Sequence, residues 1–97
     1  MRVEIEKALR KALKTGKVYL GSSRTIKALR NSEAKLVLIA SNCPEEVKNE
    51  IMKYNTPLIE FAGNNMELGA ICGKPFSVAS LAIIEAGESE ILNAVES

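Results

Sequence analysis

Leu36–Ala40, entered from Lys35, is a nearly unbroken apolar run, and it constrains the fold more than any other stretch of the chain. A strand with one wet face alternates polar and apolar residues; this one does not, so both of its faces must be covered. The rest of the chain has to supply two covering layers.

The flanking segments have the periodicities that such layers need. Ile5, Ala8, Leu9, Ala12 and Leu13 recur at helical spacing, predicting an amphipathic helix over Val3–Lys14 that ends at Thr15 and Gly16. Lys17–Leu20 reads as a short strand, and Gly21 as a sharp turn into a helix that Ser22 or Ser23 can cap and that runs to Arg30. After the central strand a polar loop, Ser41–Pro44, opens a helix over Pro44–Tyr54 with Pro44 in its first turn, Glu45 and Glu46 at its positive end, and Val47, Ile51 and Tyr54 inward. Thr56 and Pro57 turn the chain into a third strand, Leu58–Phe61, and Gly63–Asn65 reads as a tight turn.

Met66–Cys72 is a short helix whose Gly69 costs about 1 kcal/mol relative to alanine, so close packing against another backbone is its expected reason. Gly73–Ser77 is a rigid basic loop, Val78–Glu85 the last strand, and Glu88–Val95 a closing helix with Ile91, Leu92 and Val95 inward. The predicted architecture is a single α/β domain over residues 1–97, a three-layer α/β/α sandwich around a four-stranded mixed sheet. The chain of 97 residues, 46% of them hydrophobic, is large enough to fold without staples.

Charge adds a functional constraint. The net charge is only +1, yet residues 1–35 hold ten Lys/Arg against three Glu, and residues 36–97 three Lys against nine Glu, balances of +7 and −6. Such asymmetry points to a side that binds polyanions. Lys7, Arg10, Lys11 and Lys14 mark the outer face of the first helix, and Arg24, Lys27 and Arg30 that of the second; joined, they would make one patch. The N-terminal residues interleave charge with apolar side chains and no run approaches a membrane span, so a cytoplasmic protein without membrane contact is expected.

Several chemistries have little to work with. Histidine is absent, which removes the commonest general base near neutral pH and, with only Cys43 and Cys72, argues against zinc; no metal, cofactor or catalytic residue is expected. One disulfide and two reduced thiols are both compatible with the sequence, with thiols favoured in a reducing compartment. The turn at Gly21 matches neither the P-loop nor the dinucleotide glycine fingerprint. It is compatible with an anion-receiving helix start and equally with a plain amphipathic helix.

Gly21–Lys27, Ser41–Pro44 and Gly73–Val78 each lie at a strand–helix junction. Gathered at one end, they offer chemistry suited to RNA: Arg24, Lys27 and Lys74 for phosphates, Phe76 for stacking on an exposed base, Asn42 for a base edge. Two of these side chains have competing roles. From the single residue, Phe76 is first read as tucked into the core beside Val78, and Asn42 as a turn or cap residue. Glu67, the one carboxylate near these loops, is expected to bond backbone groups of its own turn.

Five blocks in order resemble a known family: Thr15-Gly16-Lys17 leading to Leu20-Gly21 and Thr25-x-Lys27-x-Leu29; Lys35–Ala40-x-Asn42; Asn64-Asn65-x-Glu67-Leu68-Gly69; Gly73-Lys74-x-Phe76-x-Val78; and Glu85–Ser89-x-Ile91-Leu92. The chain resembles, over nearly its whole length, the thirty family of archaeal and eukaryotic large-subunit ribosomal proteins, within the kink-turn RNA-binding superfamily. The resemblance implies a structural constituent of the cytoplasmic ribosome, monomeric when free, with large-subunit rRNA and neighbouring ribosomal proteins as partners. It implies RNA contact at Leu20, Gly21, Asn42, Phe76 and Val78, with basic residues around them. Many kink-turn relatives carry Asn-Glu where this chain has Ser23-Arg24, so base contacts at those two positions do not carry over. The same departure speaks against the alternative of a core protein of a guide-RNA modification or translation-regulatory complex. A small enzyme or nucleotide-binding module is a third reading, which fold alone does not exclude.

Overall fold

A computed structural model describes residues 4–95. Its elements are helix α1 (Ile5–Thr15), strand β1 (Lys17–Leu20), helix α2 (Ser22–Arg30), strand β2 (Leu36–Ile39), helix α3 (Glu45–Met52), strand β3 (Leu58–Glu60), helix α4 (Asn65–Ile71), strand β4 (Ser80–Glu85) and a closing 3-10 turn at Ile91–Val95. The expected helix start at Val3 and the inward side chain of Val95 lie outside what is described.

The sheet order is β1-β4-β2-β3, with β4 antiparallel to both of its neighbours and β3 parallel to β2. The sheet is therefore mixed, and the apolar run does lie inside it: Leu36–Ala40 are all buried. Alternate residues feed two separate cores. Leu36, Leu38, Leu81 and Ile83 pack with Leu9 and Ala12 of α1, Leu68 of α4 and Ile91. Val37, Ile39 and Ala82 pack on the other face with Ala28 and Leu29 of α2 and Ile51 of α3. This is the α/β/α sandwich, and it explains why β2 cannot alternate.

The layering overturns one expectation. Helices α1 and α2 lie on opposite faces of the sheet, so their basic faces do not join. Concavities beside α1 bring Glu4, Glu6, Glu60, Glu88 and Glu90 next to Lys7, Arg10 and Lys11. Acidic residues remote in sequence thus offset the α1 cations, because chain reversal places residues 60 and 88–90 beside the first helix.

Three smaller corrections have local causes. Neither Ser22 nor Ser23 caps α2; Gly21 is its N-cap, without a side-chain bond, and Ser22 is already helical. Pro44 and Asn64 precede their helices as N-caps rather than lying in a first turn or a tight turn. The closing helix is reduced to its last five residues, since Glu88 and Ser89 are tied to α1: Glu88 N–H donates to Thr15 Oγ1, and the Ser89 hydroxyl donates to the Ala8 carbonyl.

Candidate nucleic-acid interface

Because β4 runs antiparallel to β1 and β2, its start lies level with their ends: Leu20 pairs with Leu81, and Ile39 with Ser80. The loop after β1, the loop after β2 and the loop before β4 therefore share one edge of the sheet. Parallel pairing of β3 with β2 brings the start of α4 to the same edge.

Hydrogen bonds fasten these segments to one another. Gly21 N–H donates to the Ser80 carbonyl at 2.9 Å, and the Ser22 and Ser80 hydroxyls lie 2.9 Å apart, which satisfies the one fully buried serine. Ala40 N–H donates to Ala79 O at 2.8 Å, and Val78 N–H to Asn65 O at 2.9 Å. Asn42 closes the ring. Its Oδ1 accepts from Asn65 N–H at 2.8 Å and its Nδ2 donates to Asn65 Oδ1 at 3.2 Å. One N–H and one oxygen lone pair of the Asn42 amide stay available, so its turn role and a base-edge contact are compatible.

Two glycines shape the edge. Gly21 has φ +100° and ψ 153°, a conformation essentially confined to glycine, and a Cβ there would meet nothing within 4 Å. The space over the backbone is open to a ligand. A Cβ on Gly69 would run into the Phe76 carbonyl oxygen, which is the close backbone approach expected of that position. Glu67 accepts from Asn64 N–H while Asn64 Oδ1 accepts from Glu67 N–H, a capping box that fixes the start of α4. Glu67 is thus a structural carboxylate, as its turn suggests.

The core reading of Phe76 is overturned: the residue is 57% exposed. It lines a concavity of about 400 Å³ with Met66, Lys74, Pro75 and Ser77, and Met66 is itself 72% exposed. Two large apolar side chains bared beside a lysine form a surface fit for a nucleobase. Sequence reasoning missed Met66. The available signal was its place directly after a capping asparagine pair, outside the apolar stripe of α4. Val78 goes the other way. At 1% exposure the whole residue belongs to the core shared by α1 and α4, and its N–H is taken by Asn65 O, so the contact with RNA expected at Val78 is overturned and the residue supports the loop from beneath. Leu20 is half-buried, packed on that same core.

Ser23, Arg24, Lys27 and Lys74 are exposed. Among the described residues the ion pairs within 4 Å are Lys48–Glu60 and Lys53–Glu50, so these three cations have no carboxylate partner. Arg24 and Lys27 also line a separate concavity on the flank of α2 and β1. Cys43 and Cys72 are free thiols in opposite layers, which rules out their pairing within this fold. Burial pushes both thiols above their ordinary pKa, with Lys48 and Lys74 respectively offsetting part of the effect. Among the described residues no group of three or more His, Cys, Asp or Glu could hold a metal, and no helix is long and apolar enough to cross a membrane.

Residues 3–93 match the family described as Ribosomal protein L7Ae/L30e/S12e/Gadd45. Among curated proteins the chain is similar to the large ribosomal subunit protein eL30 of Methanosarcina mazei, 49% identical over 97% of this chain and 91% of that one. The protein of that name from Archaeoglobus fulgidus is 56% identical over 84% of this chain and 95% of the relative. That from Methanocaldococcus jannaschii is 43% identical over 97% and 89%.

Proposed function

Since the chain belongs to the Ribosomal protein L7Ae/L30e/S12e/Gadd45 family, we propose that it is a structural constituent of the large ribosomal subunit. In this reading it is not an enzyme; it acts in the cytoplasmic ribosome, as one RNA-binding domain that holds a sharply bent rRNA element. The observation that carries the binding reading is the shared edge, whose loops and adjoining helix start bring an open glycine backbone, a bared Phe76 and unpaired cations.

The division of labour follows from the chemistry of the groups. Arg24, Lys27 and Lys74 meet phosphates, which position the RNA without reading sequence. The Gly21 backbone admits the RNA closely, with Leu20 and Ser23 beside it. Phe76 stacks on an unpaired base, and the free N–H of Asn42 meets a base edge. Val78, buried, supports the loop that carries Phe76. Neighbouring ribosomal proteins complete the surroundings, and the free protein is a monomer. Support for the last point is the small number of exposed large apolar side chains, Met52, Met66 and Phe76 among the described residues.

Co-sedimentation tests this function. The protein should remain with large ribosomal subunits through a moderate-salt wash. Its release with RNA binding retained would point instead to a guide-RNA or regulatory particle. In binding assays, affinity for structured RNA should fall steeply with salt, each neutralised phosphate adding about 0.7–0.9 to the log–log slope. A flat dependence would remove the polyanion reading.

A further inference from the structure

Apart from the loop edge, α2 and β1 enclose a second concavity, of about 430 Å³, lined by Tyr19, Arg24, Lys27, Ala28, Asn31 and Glu33. Its volume lies in the range of small-ligand sites, about 300–1,000 Å³. Its walls are mostly hydrogen-bond donors. Arg24 brings a guanidinium and Lys27 an ammonium, both one helical turn apart on α2 and neither within 4 Å of a carboxylate. Asn31, the C-cap of α2, adds an amide, and Tyr19 a phenol. Lys17 Nζ lies 5.4 Å from the centre of the Tyr19 ring, which holds a third positive charge near the concavity.

Glu33 is the one acidic member. It is placed there by the left-handed turn at Ser32, φ 57°, and by the bond from its own N–H to Ala28 O at 2.9 Å. Two cations and two neutral donors against one carboxylate suit a bound monoanion better than a cation or an apolar group. The site is continuous with the loop edge through Arg24 and Lys27, so the monoanion closest at hand is a phosphodiester of the same RNA.

We propose that this concavity seats one backbone phosphate of the bound RNA, with Tyr19 and Asn31 as donors alongside Arg24 and Lys27, and that Glu33 weakens the contact. The proposal rests on the RNA-binding reading and extends the footprint from the loop edge along the flank of β1.

The test is a titration of a synthetic kink-turn RNA hairpin at several salt concentrations. Tyr19→Phe keeps the ring and so the packing, and removes only the hydroxyl; it and Asn31→Ala should each lower affinity roughly threefold to tenfold. Lys27→Gln should reduce the log–log salt slope by about 0.7–0.9. Glu33→Gln should tighten binding roughly twofold or more, since it removes a charge that repels phosphate. Wild-type affinity in both Tyr19→Phe and Asn31→Ala, with the wild-type protein binding the hairpin, would overturn the inference and leave the RNA reading standing. Weaker binding by Glu33→Gln would also overturn it, because the carboxylate would then be accepting from a base edge. No binding by the wild-type protein would remove both readings together.

Discussion

Asn42 and Asn65, on separate segments, are joined by two hydrogen bonds, from Asn65 N–H to Asn42 Oδ1 at 2.8 Å and from Asn42 Nδ2 to Asn65 Oδ1 at 3.2 Å. Asn42 thereby holds the loop after β2 against the start of α4, which makes its side chain structural before it is anything else. Asn42→Ala should cost stability as well as affinity. Loss of two exposed hydrogen bonds predicts about 1 kcal/mol, and a domain of this size loses roughly 4–8 °C of Tm per kcal/mol. A variant with unchanged Tm and reduced RNA affinity would show that the amide serves the ligand alone.

Phe76→Ala should separate binding from folding. With the residue 57% exposed, stability should change by no more than about 0.5 kcal/mol. Loss of a stacked base should weaken RNA binding by about 1–3 kcal/mol. Thermal melts and titrations of the same preparation check both. Early melting with normal affinity would return Phe76 to the core.

Gly69→Ala tests the link between α4 and the Phe76 loop. Helix propensity favours alanine by about 1 kcal/mol, but the added methyl would run into the Phe76 carbonyl oxygen, and overpacking of this kind costs about 1–3 kcal/mol. The steric effect should win, lowering the denaturation midpoint and weakening RNA binding together as the loop is pushed aside. A stabilised variant would mean that the loop yields freely.

Ser23 and Arg24 are exposed and should govern which RNA is preferred. A carboxylate accepts from guanine amino and imino groups, whereas arginine only donates. The Ser23→Asn, Arg24→Glu double variant should therefore gain affinity for an RNA with tandem G·A pairs relative to a bent ribosomal RNA. Two good base contacts would shift the preference by about 2–6 kcal/mol if fully realised. Parallel titrations at one salt concentration measure it; an unmoved preference would place specificity elsewhere.

Both thiols are held above their ordinary pKa by burial, so less thiolate is present at any given pH. Alkylation of Cys43 and Cys72 at pH 8 should be slower in the folded protein than in guanidinium chloride. Lys74→Gln should slow Cys72 further, because the ammonium now offsets part of the burial effect. Mass spectrometry of timed samples reads each site, and equal rates in the two states would contradict the burial.

The elements and layers of this protein were legible in its sequence because they follow from local periodicity. The unbroken run Leu36–Ala40 demands cover on two sides, the amphipathic helices supply it, and Gly69 announces a close backbone contact. The capping role of Glu67 was readable for the same reason, since the bond spans three residues. What only the tertiary structure decided depends on contacts between remote segments. Spacing along α1 and α2 cannot say that their cations fall on opposite faces of a sheet, nor that Glu60, Glu88 and Glu90 lie beside the first of them. Phe76 and Val78, two residues apart, part company at the edge of the sheet, one bared and one buried, because the backbone between Gly69 and Ser80 is fixed by its neighbours. Hydrophobicity assigns both to a core, but only chain packing determines which side chain finds room in it.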